Sequence, residues 1–212
     1  MEKSINGIVS FNCKTNSHIK AITELHLKLV PESHPSRLGK IFMEKFYFSA
    51  LPQFDLLNGY LYAIEDDYVG FIIFTKKPGE FIFKGIKRAP LQFLLTLIIM
   101  FVYKPLSIFR MLSMFLKKRK KSNNKVTPSN QGQWLTFGVL PQELKHVDKN
   151  GKRISQKLVE EMLDWFKNNK IQEITAGVRK NNLPAILFYN SMGFSMNNNE
   201  HDDEFYDFLI NL

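Results

Sequence analysis

Residues 150–156 combine a turn with the start of a helix, where a phosphate group could bind. They read Asn-Gly-Lys-Arg-Ile-Ser-Gln and follow an apolar strand candidate at 134–139. The first N–H groups of a helix have no partner inside the helix, and the helix dipole favours negative charge there. Nearby basic side chains and a serine hydroxyl would add to this attraction. The segment therefore predicts a phosphate site built from Asn150, Gly151, Lys152, Arg153, Ile154, Ser155 and Gln156.

A second pattern, over residues 182–194, points to a family. It matches Asn-x-x-Ala-x-x-Phe/Leu-Tyr-x-x-x-Gly-Phe at every spacing, and the strand before the first loop ends in Val-Leu-Pro. Residues 134–194 thus resemble the acyl-CoA binding core of the GCN5-related N-acetyltransferases (GNAT). The first loop departs from the family pattern Arg/Gln-x-x-Gly-x-Gly/Ala, because Asn150, Arg153 and Ser155 occupy its three defining positions. The loop before Asn150 is also longer than the commonest form.

The resemblance implies that acetyl-CoA is the acyl donor and that Tyr189 is the catalytic residue. A phenol with a pKa near ~10 can protonate a departing thiolate. Backbone N–H groups of Phe137, Gly138 and Val139 would polarise the thioester carbonyl through a strand bulge.

The other matching residues of the second pattern have two interpretations each. Asn182 would either hydrogen-bond the pantetheine arm or cap the helix that follows it. Ala185 and Phe188 would pack along the same arm or in the core.

The acceptor side is less defined. The resemblance places an acceptor pocket at the turn containing Glu32, Ser33 and His34. The general base could be Glu32, His34, Glu143 or His146, or a chain of water molecules. No metal site is expected, because the histidines at 18, 26, 34, 146 and 201 lack ligand spacing.

Apolar periodicity predicts the order of the elements. Strands are expected at 5–12, 60–65, 68–75, 134–139, 171–178 and 203–210, with a hairpin turn at Asp66-Asp67. Helices are expected at 17–29, at about 36–48 with Ser36 as N-cap, and from 154 with Ile154, Leu158, Met162 and Phe166 on one face. This is the order of the α/β GNAT fold (α+β by some schemes): a mixed, mostly antiparallel sheet flanked by helices, with a helical insertion between the third and fourth strands.

Composition indicates one domain in a reducing compartment. A chain of 212 residues with 44% hydrophobic residues fits a single acyltransferase domain, 1–212, that contains an insertion at 78–130. Its single cysteine, Cys13, excludes an internal disulfide framework. The first residues show no apolar signal core, so a cytoplasmic location is expected.

The insertion is apolar and basic. Residues 91–103 and 106–116 are almost wholly apolar, Lys104-Pro105 separates them, and 117–121 are all Lys or Arg. Between 81 and 125 there are eleven Lys or Arg and no Asp or Glu, whereas the rest of the chain has a net charge of about −2. The first run is shorter than the roughly 20 residues of a membrane span, which favours short helices.

Three partners could cover this apolar surface. Residues 85–122 could bind a membrane surface, pack on their own domain, or form a homodimer interface. Nucleic acid is disfavoured, because the basic cluster lacks interleaved aromatic residues.

These features together predict an acetyl-CoA-dependent N-acetyltransferase that acts on a primary amine. The turn at 31–36, followed by Leu-Gly-Lys-Ile-Phe at 38–42, resembles a subgroup of small bacterial acetyltransferases with an apolar basic insertion after the third strand. This resemblance implies an amino sugar of surface glycan biosynthesis as acceptor, nucleotide-linked or lipid-linked, with the enzyme peripheral to the inner face of the membrane. The altered phosphate loop leaves an alternative: a catalytically impaired binding module, membrane-associated or dimeric through the insertion.

Overall fold

The computed structural model describes residues 6–103, 130–197 and 204–212. They form a seven-stranded sheet in the order β1-β2-β3-β4-β5-β7-β6. All neighbouring strands are antiparallel except β4 and β5, which are parallel. The strands are β1 (Gly7–Ser10), β2 (Asn58–Ile64), β3 (Asp67–Thr75), β4 (Gln131–Val139), β5 (Glu173–Arg179), β6 (Ser195–Met196) and β7 (Phe205–Asn211).

Helices precede β2, separate β3 from β4, and flank β5. They are α1 (Asn16–Leu29), α2 (His34–Leu38), α3 (Lys40–Phe42), which continues as a π-helical turn (Met43–Tyr47), α4 (Ala50–Gln53), α5 (Phe81–Arg88), α6 (Pro90–Tyr103), α7 (Ile154–Asn168) and α8 (Leu183–Ser191). This arrangement confirms the predicted mixed, mostly antiparallel fold and its helical insertion between the third and fourth strands.

Two local predictions were wrong. The helix expected at about 36–48 is broken at Gly39, whose φ of 94° is easily adopted only by glycine. Its N-cap is Ser33 rather than Ser36, because the Ser36 N–H donates to Ser33 Oγ at 3.2 Å. The hairpin between β2 and β3 turns at Glu65 and Asp66, whose positive φ values suit a two-residue turn that follows the strand twist.

The sheet separates two hydrophobic clusters. Along β3, Phe71 and Ile73 face the cluster covered by α1 to α6, whereas Ile72 and Phe74 face the cluster covered by α7 and α8. The predicted inner face of α7 is confirmed: all four residues predicted for it are buried, namely Ile154, Leu158, Met162 and Phe166.

The described part of the insertion consists of α5 and α6. No single described helix is long and apolar enough to cross a membrane; α5 and α6 pass that test only as a pair, by length and composition, with a bend of 99° between them. The second predicted apolar run, 106–116, and the basic cluster 117–121 lie outside the described residues.

Candidate active site

The sheet opens between its two parallel strands. β4 and β5 pair only from Gln131–Glu173 to Trp134–Ala176. Beyond that point β4 follows β3 as far as Val139, and β5 follows β7 as far as Arg179. Among the described residues, no strand pairs with the remaining edge of β4. The backbone groups on this edge are therefore available to a ligand that enters the gap.

A bulge in β4 lies at the start of this gap. Trp134 pairs with Phe74 and Thr136 pairs with Ile73, so Leu135 is an extra residue on β4. The Leu140 N–H donates to the Val69 carbonyl of β3 at 2.8 Å.

Because N–H directions alternate along a strand, the Phe137 and Val139 N–H groups face the gap, whereas the Gly138 N–H faces β3. Three N–H groups were predicted to polarise the thioester carbonyl. Only two of them face the gap, since the Gly138 N–H points away. Gly138 instead gives room to α1: a Cβ atom on it would lie 2.9 Å from Leu29 Cδ1.

The start of α7 lies beside the end of β4. A Cβ atom placed on Gly70 of β3 would lie 3.3 Å from Val139 Cγ2 and 3.4 Å from Ile154 Cγ2. The strand end and the first helical residue therefore pack against the same point of the sheet. This places the positive end of the helix dipole next to the gap.

The loop before α7 uses several of the predicted phosphate donors for itself. Asn150 and Lys152 each donate a backbone N–H to Asp148 Oδ1 at 2.9 Å, and the Gly151 N–H donates to the Asp148 carbonyl at 3.0 Å. The Arg153 N–H donates to Gln156 Oε1 at 3.0 Å. These four N–H groups do not face a ligand, which corrects the expectation that the whole turn presents its amides. The Asp148 side chain satisfies the turn locally, as aspartates often do.

The N–H groups that remain belong to the first helical turn. The bridge between Val147 and Arg153 directs the Ile154 N–H toward the His146 carbonyl, so the Ser155 N–H is the first one that makes no hydrogen bond to a described residue. The charges around them are unequal. Lys152 Nζ lies 2.8 Å from a Glu160 carboxylate oxygen, whereas the exposed Arg153 forms no ion pair with any described residue. Of these two predicted basic residues, Arg153 is therefore the one that is free to meet an anionic ligand.

Asp148 is held ionised by its surroundings. Hydrogen bonding from the Lys152 N–H, then from the Lys157 ammonium group, lowers the pKa of its carboxyl. Lys157 Nζ lies 3.1 Å from Asp148 Oδ2. This residue was not predicted as part of the site, although the Asp-Lys-Asn-Gly sequence is a turn signal that could have identified it.

Two aromatic pairs line the gap on the side of α8. The Tyr189 ring stacks on Trp134 with centroids 4.3 Å apart, and the Phe188 ring stacks on Phe137 at 5.5 Å. Tyr189 is only 8% exposed, and its burial raises the pKa of the phenol well above its usual value. No described residue hydrogen-bonds its hydroxyl group. Trp134, which the sequence did not reveal as a site residue, has a buried Nε1 with no partner among the described residues.

Asn182 occupies the N-cap of α8. Its Oδ1 accepts the Ala185 N–H at 3.2 Å, so the capping alternative is the one that the structure shows. The cap fixes the first turn of the helix that carries Phe188 and Tyr189.

The turn between α1 and α2 lies at the mouth of the gap. Glu32 forms an ion pair with Arg179 at the end of β5. Ser33 is used as a helix cap and is bonded to Ser36, while His34 begins α2. The three predicted acceptor residues therefore lie on one turn, and this turn contacts the strand that borders the gap.

A buried histidine of α1 stabilises this turn through hydrogen bonds. Ser36 Oγ donates to the Val30 carbonyl at 2.8 Å and accepts from Ser33 Oγ at 2.9 Å. His26 Nδ1, 2.9 Å away, must therefore donate its proton to Ser36 Oγ. Burial lowers the pKa of His26 to about 4, so the ring is neutral at neutral pH. His26 falls on the apolar face of α1 beside Ile22, which is the signal that could have identified it.

A family model described as an acetyltransferase (GNAT) domain matches residues 143–207. The chain carries a GNAT acetyltransferase domain. The predicted family and the predicted enzyme class, an acyltransferase, are thereby confirmed.

Solved structures show the same GNAT fold over the whole chain. A probable acetyltransferase from Staphylococcus epidermidis shares 11% identity at a TM-score of 0.55, covering 98% of this chain and 99% of that one. An acetyltransferase from Bacillus subtilis in complex with CoA shares 12% at 0.51, covering 97% and 98%. The Campylobacter jejuni N-acetyltransferase PseH in complex with acetyl coenzyme A shares 14% at 0.51, covering 96% and 98%. Identities this low establish a common fold alone. No curated protein matches the sequence.

The described contacts of three predicted base candidates, Glu32, Glu143 and His146, do not bring their side chains into the gap. Glu143 and His146 lie 3.6 Å apart in the loop after β4, and Glu32 pairs with Arg179. In the described ranges, no group of His, Cys, Asp or Glu residues could hold a metal ion.

Proposed function

We propose that this GNAT domain transfers an acetyl group from acetyl-CoA to a primary amine, with the whole chain, 1–212, as the catalytic domain and 78–130 as an insertion in it. One observation supports this most directly: the gap between β4 and β5 has free strand N–H groups on one side and a helix start at its end. The Bacillus subtilis and Campylobacter jejuni proteins, which share the fold, hold CoA and acetyl coenzyme A.

In this proposal the donor lies along β4. The diphosphate binds at the Ser155 N–H group at the start of α7 and at the Arg153 guanidinium, which suits phosphate oxygens. The pantetheine arm extends along the unpaired edge of β4, where its amides pair with backbone groups as an added strand would. Phe188 and Ala185 form the apolar wall on the other side.

The reaction follows from these positions. The neutral amine attacks the thioester carbon, a C–N bond forms, and the carbonyl oxygen gains charge that the Phe137 N–H group, the free donor nearer the bulge, stabilises. The Val139 N–H lies two residues further along the strand, about 6.6 Å away, and binds the pantetheine arm instead. The C–S bond then breaks, the Tyr189 hydroxyl protonates the departing thiolate, and the amine releases its extra proton to water at the mouth of the gap. Water returns one proton to the Tyr189 phenolate, which completes the cycle. The raised pKa of Tyr189 keeps its hydroxyl protonated and able to donate.

The acceptor site in this proposal is the turn with Glu32, Ser33 and His34. The Glu32 carboxylate and its partner Arg179 would bind polar groups of the acceptor beside the thioester. We propose an amino sugar, nucleotide-linked or lipid-linked, as the acceptor; its support is the resemblance of this turn to that of glycan-modifying transferases. A lipid-linked acceptor would place the reaction on the cytoplasmic face of a membrane.

Two observations favour the alternative of an impaired binding module. Four of the N–H groups expected to bind phosphate are used within the loop, and the aromatic pairs Trp134–Tyr189 and Phe137–Phe188 pack tightly beside the gap. Such a module would retain the fold but bind acetyl-CoA weakly or not at all.

Calorimetric titration with acetyl-CoA, followed by a thiol-release assay against a panel of amino sugars, tests the proposal. We expect micromolar binding and turnover of at least one amine. Tyr189→Phe should keep acetyl-CoA binding within about twofold and lower kcat by roughly 10²–10⁴. Tyr206→Phe, which removes a hydroxyl on β7, is the matched control. Absence of acetyl-CoA binding would favour the binding module, whereas binding with an unchanged kcat in Tyr189→Phe would remove Tyr189 from the mechanism.

A further inference from the structure

The outward side of α6 presents large apolar side chains to solvent. Within the described part of the chain, six of them are between 51% and 69% exposed: Leu91, Leu94, Leu95, Ile98, Phe101 and Val102. Single exposed apolar residues are common on proteins, but a row of six on one helix marks an interaction surface. We call these six residues the outer face of α6.

The inner side of α6 holds the helix firmly on the domain. Thr96 and Met100 are buried, and the Phe93 ring contacts the Phe46 ring at 5.0 Å. Gln92 Nε2 donates to the Lys45 carbonyl at 2.8 Å. The direction of the outer face is therefore set by the packing of the domain.

Helices α5 and α6 themselves carry only positive charge, although Lys84 forms an ion pair with Glu80 just before α5. Residues 81–103 contain three basic residues, Lys84, Lys87 and Arg88, and no acidic residue. All three lie on α5, which leads into α6 across a bend of 99°. The sequence continues this composition from 104 to 125, with eight more Lys or Arg and no Asp or Glu.

We infer that the outer face of α6 binds the surface of an anionic lipid bilayer. The helix lies parallel to the membrane, the outer face enters the boundary between headgroups and acyl chains, and Lys87 and Arg88 meet headgroup phosphates. A second copy of the chain fits less well, because a symmetric interface would bring two basic, acid-free segments together. An anionic bilayer supplies both an apolar layer and the opposite charge. The inference does not depend on acetyl transfer.

Flotation of the full chain with lipid vesicles tests this inference. We expect the protein to float with vesicles of phosphatidylcholine containing about a third phosphatidylglycerol, to float at least tenfold less with phosphatidylcholine alone, and to be released by salt. Leu94→Glu/Ile98→Glu should reduce flotation with anionic vesicles at least tenfold. Asn168→Glu/Asn190→Glu adds the same charge at exposed positions of α7 and α8 and should leave flotation unchanged.

Two further measurements distinguish a loss of lipid binding from a loss of folding or a change of oligomeric state. Circular dichroism melting of each variant shows whether it is folded, and light scattering without lipid gives the oligomeric state. Equal flotation of wild type and Leu94→Glu/Ile98→Glu, or no flotation of wild type, would overturn the inference. A wild-type dimer that becomes a monomer in Leu94→Glu/Ile98→Glu would assign the outer face to a second copy. A large loss of stability in that variant would show that the chain itself covers the face.

Discussion

Helices α6 and α7 have almost the same length, 14 and 15 residues, but they differ in how far their apolar residues are exposed to solvent. α7 buries its apolar residues and carries charged residues such as Glu160 and Lys167 on its other side. α6 has no charged residue, and only Thr96 and Met100 along it are fully buried. The apolar content of a segment is thus enough to predict a helix. The positions of its polar residues show which side of that helix faces water. A helix that has no polar side must be covered on both sides by something other than water.

The largest expected effect separates these two helices directly. Phe166→Ala in α7 should lower the free energy of unfolding by about 3–5 kcal/mol, because it leaves a cavity among fully buried residues. Leu94→Ala on the outer face of α6 should change it by less than about 0.5 kcal/mol. Urea unfolding followed by circular dichroism measures both. Similar losses for the two variants would contradict the comparison, since Leu94 would then be covered.

The second effect concerns a buried polar residue in the cluster that α6 covers from its inner side. His26 lies between the rings of Phe48 and Phe71, with a pKa lowered from 6.5 to about 4. Below pH 6.5 the unfolded chain binds a proton that the native protein does not, so stability should fall as the pH drops from 6.5 to about 4 and then level off. The full effect corresponds to about 3 kcal/mol.

Urea unfolding at several pH values, compared between wild type and His26→Gln, isolates this contribution. The difference in stability between the two proteins should shrink as the pH falls. Asn190→Gln, a change at an exposed position of α8 that removes no titratable group, should show no such trend. A pH-independent difference for His26→Gln would mean that His26 does not titrate in this way.

A smaller effect is expected at the exposed start of α8. Asn182→Ala removes the acceptor of the Ala185 N–H and should cost about 1 kcal/mol of stability. Asn182→Asp keeps an acceptor at the same place and should cost much less. Thermal unfolding of the three proteins measures this order, and equal melting temperatures would show that the cap is unimportant.

The smallest effect is expected at the mouth of the gap. Glu32 and Arg179 are partly exposed, so a double-mutant cycle with Glu32→Ala and Arg179→Ala should give a coupling energy below about 1 kcal/mol that decreases with salt. A larger, salt-independent coupling would show that the pair is shielded from water. Activity assays of the same variants test whether the use of the acceptor amine depends on this turn.

Sequence reasoning succeeded where local periodicity and long-range packing agree. The apolar residues of α7 recur every four positions, so one face had to be buried, and the order of strands and helices followed from similar patterns. The spacing of the Asn182–Phe194 motif identified the family, because few other folds require those residue types in that order. The fold was therefore predictable in outline, with element ends shifted by a few residues.

The site was predictable only in part, because its details depend on competing local bonds. Asp148 takes the N–H groups that the family pattern assigns to phosphate, and Ser33 takes the cap that periodicity assigned to Ser36. The stacking of Tyr189 on Trp134 joins residues distant in sequence and leaves no periodic signal. The exposure of α6 could not be derived from the sequence either. An apolar helix is expected to be buried, but its sequence does not show what covers it.

The extra residue in β4 has a consequence for the alternation of side chains along that strand. Because Leu135 interrupts the pairing, Trp134 and Phe137 lie on the same side of the sheet, while Gly138 lies under α1. Removal of Leu135 would leave Trp134 opposite Phe74 and Thr136 opposite Ile73, so every later side chain would keep its present side of the sheet. What would be lost is the local bend that a bulge gives a strand at the start of the gap. The extra residue thus shapes the path of the backbone where the two parallel strands separate, and leaves the distribution of large and small side chains unchanged.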